Sequence, residues 1–126
     1  MKILALIAGI LLGLLFVAGD IVYFFKLYTP PPPPAGSPVA MFMGAFYPTG
    51  YLDFVKALEL VGAVLIAIPR TRRLGLLVLG PIIINILAFH ILVAKGDYAP
   101  LLPFVLLTLF LTWVERRAFA NFIAGR

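Results

Sequence analysis

Cysteine is absent, which excludes disulfides, thiolate metal sites and thiol redox chemistry by this chain itself. Histidine occurs once, at His90, and scattered carboxylates around a lone histidine lack the ligand spacing of a metal site, so none is expected. Charge is scarce too. Asp, Glu, Lys and Arg make up 12% of the 126 residues, against roughly a quarter in soluble domains. No nucleophile–base arrangement and no internal repeat is visible, so no catalytic residue is assigned.

What remains is hydrocarbon. Hydrophobic residues are 63% of the chain and the mean hydropathy is +1.13. A chain this short cannot hide that much apolar surface in a core of its own, so its solvent is the lipid bilayer. Backbone polar groups in lipid must be satisfied internally, which predicts an all-α chain forming one membrane domain, residues 1–126.

Four apolar runs reach or approach spanning length, at about 3–28, 51–68, 74–94 and 101–118. The fourth is wholly apolar or hydroxyl-bearing only from Leu101 to Val114, before Glu115. The first also has the look of a signal peptide with small residues Val17-Ala18-Gly19. Hydrophobic character resumes after Asp20 as Ile-Val-Tyr-Phe-Phe, too long a run for a signal core, so it reads as a membrane helix.

The ten basic residues set an orientation. Lys2, Arg70, Arg72, Arg73, Arg116, Arg117 and Arg126 fall on one side of four alternating spans, leaving Lys26 and Lys95 on the other and Lys56 within a span. The basic side is expected to be cytoplasmic, with both termini there. The net charge of +5 is therefore read as topology-setting and not as a nucleic-acid surface. Tyr23, Tyr28, Tyr47, Tyr51, Tyr98 and Trp113 stand near the helix ends, as interfacial anchors should.

The one long connection, residues 29–50, opens with five prolines, Pro30 to Pro34, which must be extended polyproline II and read as a stiff strut. The apolar segment 38–50 after it is half a span. A short helix in the outer interface, or folded back over the bundle mouth as a lid, is expected there.

Polar residues inside the spans are costly and mark where the polar chemistry lies. Counting rise along each helix puts Asp20, Asp53, Lys56, Glu59, Asn85 and His90 in one layer of the outer half, contributed by three helices. Asp53, Lys56 and Glu59 are three apart, so Lys56 can reach a carboxylate one turn away in either direction. Two readings stay open: structural glue between helices, or a pocket for a polar head group or a proton-carrying site. Ala5, Gly9 and Gly13 form a small-residue stripe, and Gly62 does similar service one turn from Glu59, for packing within the bundle or against another protein. Pro81 removes one backbone bond and is expected to kink its helix near Leu77.

An ordered set of pieces then carries a resemblance. The proline-rich segment is followed by Phe42-Met43-Gly44-Ala45, Thr49-Gly50-Tyr51 and Lys56-x-x-Glu59-x-x-Gly62. After the arginine turn Arg70 to Arg73 comes Gly80-Pro81-Ile-Ile-Ile-Asn85-Ile-x-x-Phe89-His90, with Gly13-x-x-Phe16 a weaker match in the first helix. Over about residues 42–92 the chain resembles the DoxX-like family of small four-helix bacterial membrane proteins. The resemblance implies a multi-pass four-helix bundle in the bacterial cytoplasmic (inner) membrane, with Lys56, Glu59, Asn85 and His90 at the family's polar positions. It also implies association with thiosulfate–quinone oxidoreduction and other redox systems.

Three functions follow as expectations. One is an auxiliary, non-catalytic subunit docking a membrane partner, or a further copy of itself, through the glycine stripe or the outer loop. Another is binding or oxidoreduction of a quinone-like lipophile, with Glu59 and His90 on the head group and no cofactor built into the chain. The third is a minimal proton-coupled transporter, against which stands Lys56, one turn from Glu59 and able to neutralise it.

Overall fold

The computed structural model describes residues 1–96 and 98–125, and among them every regular element is helical. Arg126, counted above with the basic tail, lies outside the described residues. The helices are α1 (Lys2–Phe24), α2 (Pro38–Phe46), α3 (Tyr51–Ala67), α4 (Arg72–Ala88), α5 (Leu102–Val114) and α6 (Arg116–Ile123). A π-helical segment, Phe89–Ala94, prolongs α4, and single 3-10 turns, Pro69–Thr71 and Ala99–Leu101, lead into α4 and α5.

The helix ends have local causes. α1 stops at Phe24, short of residue 28, because Lys26 turns left-handed at φ 53° before the extended prolines begin. α3 stops where Pro69 forces Ile68 into extended backbone, φ −96° and ψ 121°. α4 continues through Pro81, and its π extension ends at Lys95, left-handed at φ 54°. The fourth expected span is broken at Glu115: α5 ends at Val114 and α6 resumes the helix at Arg116. Glu115 is drawn sideways by Arg72 and Arg73, and α6 leaves at 69° to the preceding helix.

α1, α3, α4 and α5 pack in a ring in which α1 touches α3 and α5, and α4 touches the same two. Each contributes one fully enclosed residue to the centre: Leu12, Ile66, Leu79 and Leu111. Outward, the same helices present Leu14, Val64, Leu77, Ile84 and Leu106, each more than half exposed, which is the surface of a chain solvated by lipid. Lys2–Phe24 and Pro69–Ala94 are each long and apolar enough to cross a membrane. Ala99–Val114 with Arg116–Ile123 makes a third if the bent pair is one span.

α2 is the short helix expected in the outer segment. Ser37 caps it by accepting a hydrogen bond from the Ala40 amide at 3.2 Å, and Pro38 occupies the first turn where its missing N–H does no harm. An aromatic ladder pins it across the bundle: Phe89 to Phe42 at 4.6 Å, Phe42 to Phe46 at 4.3 Å, Phe46 to Tyr51 at 4.8 Å.

Candidate functional site

The site begins with glycine. The buried face of α1 comprises Ala5, Ala8, Gly9, Leu12, Gly13, Phe16 and Asp20, a stripe at spacings of three and four. A methyl group placed on Gly9 would lie 2.6 Å from the Ile66 carbonyl oxygen, and one on Gly13 would lie 2.8 Å from that of Ala63. The stripe is thus filled within the chain, main chain against main chain, by α3. On the other side of α3, a methyl on Gly75 of α4 would meet the Ile66 amide nitrogen at 2.6 Å, and one on Gly62 would strike Leu79.

This close approach carries the next turn of α1, with Asp20, against the matching turn of α3. Lys56 Nζ lies 3.7 Å from Asp20 Oδ1 and 3.6 Å from Glu59 Oε1. Asp20 is 1% exposed and Glu59 4% exposed. Neither oxygen of Asp20 has a hydrogen-bond partner. A buried polar atom left so is costly, which makes Asp20 the anomalous group of the bundle.

Beside these three side chains is a cavity of about 170 Å³. Its remaining wall is apolar: Leu15 and Phe16 from α1, Ile83, Ile86 and Leu87 from α4, and Leu101, Phe104 and Val105 from the α5 end. Phe16 and Phe104 meet edge to face at 4.9 Å. An apolar cavity of about 150 Å³ is known to hold a benzene ring, so this one has room for one ring. Chemically it offers two carboxylates and one ammonium at the side of a greasy slot.

The other expected members of the layer are not in it. Asp53 is exposed and accepts a hydrogen bond from Tyr23 Oη at 2.8 Å; the Tyr23 ring is also 5.4 Å from Lys56 Nζ. Asn85 is exposed and its side-chain amide donates to the Pro81 carbonyl at 2.9 Å. His90 is half-buried, its Nδ1 paired with the Ile86 carbonyl at 2.8 Å. α4 packs through Gly75, Leu76, Leu79, Ile82 and Ile83, and Asn85 falls off that stripe. Rise along a helix gives height, whereas only packing gives the angle around the axis. Among the described residues no group of three or more His, Cys, Asp or Glu is placed to hold a metal ion.

A second charged cluster was not anticipated. At the opposite end of the bundle Arg73 Nε donates to Glu115 Oε2 at 2.6 Å and Arg72 Nη1 to Glu115 Oε1 at 3.4 Å. Arg72 is 6% exposed, and its Nε has no partner. The signal available in the sequence was Glu115, the one acid at the end where the arginines gather. Compared with protein-family models, curated proteins and solved structures, the chain matches none.

Proposed function

We propose that the chain is a multi-pass membrane protein in which α1, α3, α4 and α5 all cross the bilayer, the arginine-rich end cytoplasmic, and which binds a lipophilic small molecule. The head of that molecule enters the cavity beside Asp20, Lys56 and Glu59, while its apolar remainder lies against Phe104, Val105 and the lipid. One observation carries this reading: a buried carboxylate that makes no hydrogen bond, and is held only by its ion pair with Lys56 at 3.7 Å, lines a ring-sized, largely apolar space. α3 fits a spanning role despite its charges, because Glu59 is turned inward and Lys56 is partnered.

The donor–acceptor balance narrows the head group. An ionised carboxylate only accepts, and Lys56 is already within reach of both. Toward an ionised Asp20 a ligand should therefore donate, as a quinol, a phenol or an amine does. A partner-docking role loses one support, since the glycine stripe it was to use is occupied by α3.

The test is native mass spectrometry after gentle extraction from native membranes. A small-molecule adduct on the wild type, absent from a folded Asp20→Asn protein, is the expected result. An adduct unaffected by Asp20→Asn, or adducts consisting of whole polypeptides alone, overturns the reading.

A further inference from the structure

Charge balance at the cavity carries the reading further. Within 4 Å of Lys56 Nζ stand two carboxylates, from Asp20 and Glu59. One ammonium can compensate one of them. Among the described residues no further cation lines the cavity: Tyr23 on α1 donates its hydroxyl to Asp53, Asp53 on α3 is itself acidic, and His90 beyond α4 is not part of the lining. α4 and α5 present only apolar side chains to the cavity. Two like charges sharing a buried site with a single ammonium are not both kept ionised without a further cation.

The balance is met by one proton held on the carboxyl pair or by one external cation. Lys56 argued against an exchange role so long as Glu59 was its only partner. With Asp20 on the same ammonium, one carboxylate is always in surplus. A cationic head with N–H groups would supply both the missing charge and the hydrogen-bond donors that the Asp20 oxygens lack.

We propose that the ligand class is a lipophilic organic cation, an ammonium on a single ring or short chain, and that each one bound at Asp20 and Glu59 displaces one proton to water. No bond between heavy atoms changes: the cation enters, one carboxyl O–H bond breaks and gives its proton to water, and the net charge of the site is unchanged. Lys56, with a quarter of its side chain exposed, is the member of the triad that is not enclosed. The inference rests on the cavity being a binding site.

The experiment uses the full chain in detergent micelles, with para-hexylbenzylammonium as probe and neutral 1-ethyl-4-hexylbenzene as its isostere. Calorimetric titration in two buffers of different ionisation enthalpy counts protons. The expected result is about one proton released per cation bound, with affinity rising about tenfold per pH unit while the carboxyl pair holds its proton. Asp20→Asn and, separately, Glu59→Gln leave one carboxylate for one ammonium. Each should abolish proton release and weaken the cation while leaving the neutral isostere bound; two variants guard against one failing to fold. Cation binding without proton release, or the isostere binding as tightly as the cation, overturns the exchange and leaves the cavity reading standing. If neither probe binds, both readings fall.

Discussion

The two ends of the bundle carry mirror-image charge triads. At one end two carboxylates, Asp20 and Glu59, flank one ammonium; at the other two guanidiniums, Arg72 and Arg73, flank one carboxylate. Each has one charge in surplus. The arginine triad disposes of its surplus in water, because the Arg73 side chain is 67% exposed. The carboxylate triad cannot, since Asp20 is 1% exposed and Glu59 barely more. Contact lengths agree with this division. The arginine cluster closes to 2.6 Å on Glu115, whereas Lys56 stands back at 3.6 and 3.7 Å from its partners, next to open space. Where the surplus charge is exposed the triad can act as a clamp, and where it is buried the surplus calls for a proton or a cation, which is the basis of the proposed binding role.

The comparison can be broken most forcefully at the clamp. Glu115→Ala removes the sole carboxylate from Arg72, whose Nε is already without a partner, and is expected to cost about 3–5 kcal/mol of stability. Thermal unfolding in micelles measures it; a loss no larger than that of an exposed pair would mean the clamp is ornamental. Next comes the glycine contact that delivers Asp20. Gly9→Ala sets a methyl against the Ile66 carbonyl, which has no rotamer to yield, and should cost about 1–3 kcal/mol. Gly80→Ala, with nothing within 4 Å, should instead gain about 0.5–1 kcal/mol from helix propensity. Equal effects of the two changes would dismiss the close approach of α1 and α3.

At the receptor the expected stability change is smaller and its sign is informative. Asp20→Asn should leave unfolding within about 1 kcal/mol of wild type, because a neutral amide of the same shape replaces one member of a pair that already shares a proton, and Glu59 keeps Lys56. Ligand retention should nevertheless be lost. A large destabilisation with retention intact would make Asp20 structural glue after all. Smallest of all is Asn85→Leu, on the lipid-facing side, with a change of about 0.5 kcal/mol or less and unaltered ligand retention. Loss of the ligand in that variant would restore the six-residue layer.

Class and element order were legible because lipid leaves a chain so few choices: apolar runs of spanning length become helices, and prolines and the basic turn interrupt them where expected. The stripe at Gly9 and Gly13 could be read too, since small residues every fourth position have a direct steric meaning. Its partner could not, and neither could Gly75, which looks like any glycine until α3 is placed beside it. The site was half legible. Lys56 and Glu59 are neighbours by helical spacing alone, and Asp20 was found at the right height. Asn85 and His90 were put at that height as well, but height does not tell which way a side chain faces. The bend at Glu115 was invisible for a different reason: a charge at the end of an apolar run reads as an exit to water, and only the return of α4 shows it to be an anchor.

The main chain at Ile66 has a mechanical consequence. Its carbonyl rests on Gly9 and its amide on Gly75, so α1, α3 and α4 meet there with no rotatable side chain between them. α5 packs beside this junction through side chains such as Phe104 and Leu111. The expected consequence is a cavity that yields on the α5 side while the charged helices hold their spacing. An occupant should slow amide exchange along α5 and leave α3 as slow as before.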